Sequence, residues 1–275
     1  MRKNPDQDPE FVTALARGLD VIQAFSRDMP ELTLSEVAAR TGLKPATARR
    51  SLITLSTLGY VRQHGRRYVL TARVLQLGAA FVESMNLNEV AQNYLQEVVD
   101  VFHDASSLSI LDGNNIVYLV HIPSNRPARL RQYVGARMPA HAASMGYILL
   151  SGLDADAFDA YLSQAPFPAY TPRTPTSAQE IREIITNARR DGYAIAQDAI
   201  AFGALALSVP VYDKQGRVVA AINCSADATR VDRETMIRER FPALQNAAKR
   251  ISHELTRFPA LTLSTQPEPL PRHGL

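Results

Sequence analysis

The chain has 275 residues, 46% of them hydrophobic, one cysteine and a formal net charge of +3. This composition excludes a disordered chain, the lone Cys224 excludes an internal disulfide framework, and the length suits one large domain or two ordinary ones. The polar start MRKNPDQDPE lacks the apolar core of a secretion signal and no apolar run is long enough to span a membrane, so a reducing, cytoplasmic setting is expected.

The charge is unevenly placed. Residues 11–75 carry ten Arg/Lys against four Asp/Glu, whereas residues 76–275 are slightly acidic, a division that points to a nucleic-acid module joined to a near-neutral body. Val12, Leu15, Leu19 and Ile22 follow helical spacing and predict an amphipathic helix over 11–26 that buries this stripe. Thr33-Leu34-Ser35-Glu36 has the form of a capping box opening a second helix, which Gly42 stops. Pro45 opens a third helix with Ala48, Leu52, Leu55 and Leu58 on its buried side, ended by Gly59. Two helices around a tight glycine turn make a helix-turn-helix. Tyr60–Gln63 and Arg66–Leu70, separated by His64-Gly65, read as a hairpin wing. Lys44, Thr47, Arg49, Arg50, Ser51 and Thr54 are the expected contacts of the recognition helix with double-stranded operator DNA, and Arg66 and Arg67 those of the wing with its backbone.

The run from Phe11 to Gly78, above all LARGLDVIQAF and ATARRSLITLSTLGYV, resembles the IclR family of bacterial transcriptional regulators, and within it the branch controlling aromatic-acid catabolism. The likeness extends to about residue 257. It implies a multidomain chain: a winged helix-turn-helix dominated by α-helix (11–72), a linker helix (73–88) that helps form a homodimer or homotetramer, an α+β GAF-like effector-binding domain (89–258), and a flexible tail (259–275).

Thr71 can cap the linker helix, with Val74, Leu75, Leu77, Phe81 and Val82 as its apolar side. Ala91, Tyr94, Leu95, Val98 and Phe102 mark a further helix. Strands are expected at 106–111, 116–121, 130–134, 193–198, 205–212 and 218–225, paired mostly as antiparallel hairpins. Helices are expected at 144–150, at 154–162, from the capping box Ser177–Glu180 to Gly192, and over 232–255 with an interruption near Pro242. Residues 165–175 contain four prolines and read as a mobile loop near a pocket.

No nucleophile elbow, zinc-protease motif, phosphate-binding loop or dinucleotide fingerprint is present, so the reading is a regulator and not an enzyme, with no metal or cofactor. Cys224 reads as a small core residue. The stretch from Gly135 to Gly146 leads into a helix start whose N–H groups at Ser144, Met145 and Gly146 suit a carboxylate. By the resemblance, Leu130, Met138, Ser144, Met145, Ala196, Ala204, Ala206, Asn223 and Ser225 match positions lining family pockets, and His141 adds a proton-dependent bond. Around Gly203, Ala199 and Leu205 stand where the family carries an acid and an arginine, so a charge pair is expected to be missing. The expected effector is a monocyclic aromatic acid that regulates a catabolic operon. An enzyme or carrier of such an acid with an appended winged helix is the alternative, and a DNA-binding architectural protein is a third reading.

Overall fold

The computed structural model describes residues 10–255, apart from 27, 80–86, 127–129 and 131. These residues fall into two compact units, one up to residue 79 and the other from residue 87 onward.

In the first unit, α1 (Thr13–Gln23), α2 (Leu34–Thr41) and α3 (Pro45–Thr57) pack with a three-stranded antiparallel sheet. The sheet order is β1 (Glu31–Thr33), β3 (Arg67–Leu70), β2 (Val61–His64). The Thr33 N–H donates to Glu36 Oε2 at 2.7 Å, and the Glu36 N–H returns to Thr33 Oγ1 at 3.3 Å, closing the predicted capping box. Gly42 ends α2 at φ 65°, a backbone region that L side chains rarely adopt. Val21, Leu32, Val37, Ala48, Leu52, Leu55 and Val61 form the core. The strand β1, absent from the sequence expectation, lies on the far side of β3 and turns the wing into a sheet edge.

Two expectations about this core fail. Of the expected stripe Ile22 packs on the core, but Val12, Leu15 and Leu19 are exposed, and α1 with its C-cap instead buries Val21 and Ala24. Leu58 is half exposed rather than buried, because α3 ends at Thr57 and the chain then swings into Gly59 at φ 80°. The linker begins as expected with a Thr71 cap, and after one 3-10 turn, Ala72–Val74, residues 75–79 are α-helical, but Leu75 and Leu77 of the expected apolar side face solvent. Phe81 and Val82 lie outside the described residues.

The second unit is a six-stranded, wholly antiparallel sheet in the order β6-β5-β4-β9-β8-β7. Its strands are β4 (Ala105–Asp112), β5 (Asn115–Ile122), β6 (Arg137–Pro139), β7 (Ala194–Gln197), β8 (Ala204–Tyr212) and β9 (Val218–Asp227). Of the expected third strand at 130–134, the described residues 130 and 132–134 are not strand. Pairing with β5 starts only where Gly135, at φ 86°, donates to the Tyr118 carbonyl, and β6 follows. Helices α4 (Leu87–Phe102) and α8 (Phe241–Leu255) pack on the sheet and on each other. On the other face lies α5 (Ser144–Ser151), with α6 (Ala155–Leu162) and α7 (Ala178–Asp191) outside it. The chain enters α8 through a π-helical segment, Met236–Arg240, whose wider winding accommodates Pro242 and realises the expected interruption.

Strand alternation makes the two faces unlike. Leu205, Leu207 and Val209 on β8, and Ile222 and Cys224 on β9, are fully buried large or apolar groups on the α4/α8 side. Their neighbours Ala204, Ala206 and Ser208, and Ala221, Asn223 and Ser225, turn toward α5. They are small, and they leave space there.

Candidate functional site

Lys44 sits at the N-cap of α3 and accepts the N–H groups of Thr47 and Ala48 with its carbonyl, leaving its side chain exposed. Arg49 lies on one exposed flank of α3. Thr47, Arg50, Ser51 and Thr54 line the other flank, along a groove shared with α1. The Thr54 hydroxyl donates to the Arg50 carbonyl, so only its lone pairs are left for an outside donor. On the wing, Arg66 is exposed at the turn, and the neighbouring exposed Arg62 adds a cation that the sequence reading passed over. Arg67 departs from expectation. It turns back to Glu31 at 3.5 Å and Glu36 at 3.9 Å, so reaching a phosphate requires breaking exposed ion pairs of small worth.

In the second unit the small-residue face of the sheet and the start of α5 enclose a slot. Leu130, Met138, Ser144, Met145, Ala196, Ala204, Ala206, Asn223 and Ser225 all line it. So do six residues that the sequence reading missed: Tyr118, Gln132, Ala142, Ala143, Ala199 and Ile200. The slot holds about 30 Å3, room for one or two waters. None of these fifteen residues is charged.

The polar groups of the slot are individually fixed. The Ser107 N–H donates to Asn223 Oδ1 at 2.9 Å, which leaves the Asn223 amide nitrogen as that side chain's donor. The Ser208 hydroxyl donates to Ser144 Oγ at 2.7 Å. Gln132 Nε2 donates to the Tyr118 hydroxyl at 3.1 Å, and burial pushes the Tyr118 phenol up and keeps it neutral. Cys224, on the opposite face, is buried and its thiol is pushed up to about 12 by desolvation, which agrees with a core role.

Two predicted pocket residues are elsewhere. His141 is buried outside the slot, stacked on Phe167 with ring centroids 5.0 Å apart, and Nε2 donates to the Pro168 carbonyl at 2.9 Å. Burial holds its pKa below the ordinary histidine value, against the opposing effect of that bond. Gly146 faces the turn Ala140–Ala142, where an added Cβ would lie 2.0 Å from the Ala140 carbonyl oxygen. Its role is close backbone packing against that turn.

The slot wall at 198–203 explains the charge question raised by Ala199 and Leu205. Leu205 is fully buried on the far face of the sheet and does not meet the slot. A charge pair exists one residue earlier: Arg173 donates to Asp198 at 2.8 Å. Asp198, at φ 57°, also accepts the Gly203 N–H at 2.6 Å. Thr171 Oγ1 donates to the Asp198 carbonyl and Thr174 Oγ1 to the Ala199 carbonyl, both at 2.6 Å. The proline-rich loop expected to be mobile is thus bonded to the slot wall.

Comparison with known proteins agrees with this architecture. The IclR helix-turn-helix domain matches residues 14–65, and the model described as bacterial transcriptional regulator IclR C-terminal matches residues 79–253. The chain is 36% identical to the Pca regulon regulatory protein of Pseudomonas putida, over 90% of this chain and 86% of that one. It is 32% identical to the p-hydroxybenzoate hydroxylase transcriptional activator of Acinetobacter baylyi, over 88% and 91%. A solved IclR homologue from Microbacterium hydrocarbonoxydans, complexed with 4-hydroxybenzoate, superposes with a TM-score of 0.76 at 25% identity, covering 89% of this chain and 99% of that one. These relatives are regulators and not enzymes, and a helix-turn-helix of this kind binds DNA. The chain belongs to the IclR family of bacterial transcriptional regulators.

Proposed function

We propose that this regulator binds a two-fold operator as a homodimer or a pair of dimers and answers to a small aromatic acid that fills the slot, thereby controlling a catabolic operon. The observation that carries this reading is the convergence of apolar and small neutral polar side chains on one cavity between the sheet and α5. The similarity to two regulators whose names refer to aromatic-acid pathways, and to a homologue holding 4-hydroxybenzoate, supports the choice of ligand class. Lys44, Thr47, Arg49, Arg50, Ser51, Thr54, Arg66 and Arg67 are the proposed operator contacts. The proposed division into a DNA-binding domain over 11–72, a linker over 73–88 and an effector domain over 89–258 follows.

The test is thermal unfolding of the full chain against protocatechuate, 4-hydroxybenzoate, terephthalate, β-ketoadipate, pyruvate and glyoxylate. A ligand specific to the native state raises the midpoint. A rise with an aromatic acid supports the reading, and a rise with pyruvate or glyoxylate alone moves it to central carbon metabolism. Ser144→Phe should abolish the rise and leave operator affinity intact, whereas Arg49→Ala or Arg50→Ala should weaken operator binding in a salt-dependent way.

A further inference from the structure

We propose that the effector's carboxylate does not enter the slot but rests at its mouth on Arg126, with Arg230 beside it, while the opposite end of the ligand presents a neutral hydrogen-bonding group to Asn223. This rests on the slot being the effector site and assigns the ligand's direction within it.

The first reason is electrostatic. Among the described residues that line the slot there is no cation, and a carboxylate drawn out of water into such a space without a partner is strongly disfavoured. The inner end instead offers the Asn223 amide and the Ser144–Ser208 hydroxyl pair, which suit a phenol or a similar neutral group. The slot shares Leu130, Gln132, Ala204 and Ser225 with a second, outer cavity of about 350 Å3, within the size range of small-ligand sites. Arg126 and Arg230 line that outer cavity. The same strand face connects the two: Asn223 and Ser225 lie in the slot, and Asp227, two residues on, lies in the outer cavity. The four residue steps from Asn223 to Asp227 span about 13 Å, so a para-substituted ring bridges the inner part of this distance and the long Arg126 side chain meets it from the outer cavity.

The second reason is which donors are already committed. Asp104, buried at the root of the outer cavity, is bonded by Arg230 at 2.5 Å and approached by Arg240 at 3.4 Å, and Arg240 also bonds Glu239. Asp227 accepts the N–H and hydroxyl of Thr229. Arg126 stands 3.6 Å from Asp104, an ion pair beyond hydrogen-bond length, and its side chain is 42% exposed. Its guanidinium can therefore turn to a ligand carboxylate without dismantling the buried cluster.

The test is titration calorimetry on the full chain with 4-hydroxybenzoate and with its uncharged shape-mate, 4-hydroxybenzamide. The wild type should prefer the acid. Arg126→Gln should weaken the acid by about tenfold or more and leave the amide unchanged, with the ligand-free unfolding midpoint unaltered. Arg126→Lys should retain the preference. Unchanged acid affinity in Arg126→Gln, or equal binding of acid and amide by the wild type, overturns the proposed direction. If the wild type binds no aromatic acid in the wider panel, the effector reading falls, and this inference falls with it.

Discussion

Replacing Gly146 with alanine is the sharpest test of how the slot is built. Within an exposed helix the change would stabilise by about 0.5–1 kcal/mol, since glycine loses more conformational freedom on folding. In α5 the added carbon would sit 2.0 Å from the oxygen, 2.5 Å from the Cα and 2.6 Å from the carbonyl carbon of Ala140. All three are backbone atoms, so no side chain can swing aside. Relief requires α5 and the turn Ala140–Ala142 to part. Overpacking of this kind costs about 1–3 kcal/mol, and contacts this short place it at the upper end. A net loss of about 2–3 kcal/mol lowers the unfolding midpoint of a unit this size by roughly 4–12 °C. Ala142, Ala143, Ser144 and Met145 belong to the two parted segments and line the slot, so stabilisation by 4-hydroxybenzoate should fall as well. Scanning calorimetry with and without ligand reads both effects. A Gly146→Ala protein that melts at or above the wild-type midpoint would refute the packing argument.

The remaining expectations concern the cap, a histidine and the slot wall. Thr33→Ala removes the capping box of α2 and should cost the winged-helix unit about 1 kcal/mol in urea unfolding; an unchanged midpoint would show the cap to be idle. His121 and His141 are held below the ordinary histidine pKa, chiefly by burial. The unfolded chain therefore takes up protons that the native state refuses, and stability should decline as pH falls below about 6.5. His141→Phe should make that decline shallower, by at most about 1.4 kcal/mol per pH unit, and an identical slope would count against the assignment. Asp198→Gly keeps the positive-φ backbone and loses only the side-chain bonds, whereas Asp198→Ala loses both. The alanine variant should be the less stable by about 1 kcal/mol, and equal stabilities would mean that the backbone geometry carries no cost.

What the sequence revealed divides along the range of the forces involved. The caps at Thr33 and Ser177, the αL stops at Gly42 and Gly192, and Pro45 at the start of α3 are local chemistry, and each appears where the residues indicate. The α1 stripe had the right period but the wrong side, because Val21 and Ala24 form a competing apolar arc and only the packing of α2 and α3 selects between them. Residues 130–134 have strand-like composition, yet the described ones among them are not strand, and ladder pairing to β5 begins where Gly135 reaches the Tyr118 carbonyl. His141 looked available because its acceptor, the Pro168 carbonyl, is 27 residues away. The slot itself left a legible trace: ALALS on β8 and INCS on β9 alternate large and small residues, and small residues on one buried face mean space. That signal does not reach Tyr118 or Gln132, whose places depend on how β5 and β6 meet.

The narrowness of the slot bears on how a signal could arise. With about 30 Å3 free, a ring can be held only after a wall yields, so the ligand favours a widened arrangement over the one described, and only that difference in affinity can shift an equilibrium. The walls are not equally able to yield. The floor is a sheet paired on both sides of β9, and α5 is jammed against Ala140 through Gly146. The segment 198–203 is held by a few hydrogen bonds and one half-exposed ion pair to Arg173. Those bonds set how rarely the wide state is visited without ligand, and apparent affinity scales with that population. The Asp198 contacts thus hold the slot closed as well as holding it together, and loosening them should lower stability while tightening effector binding.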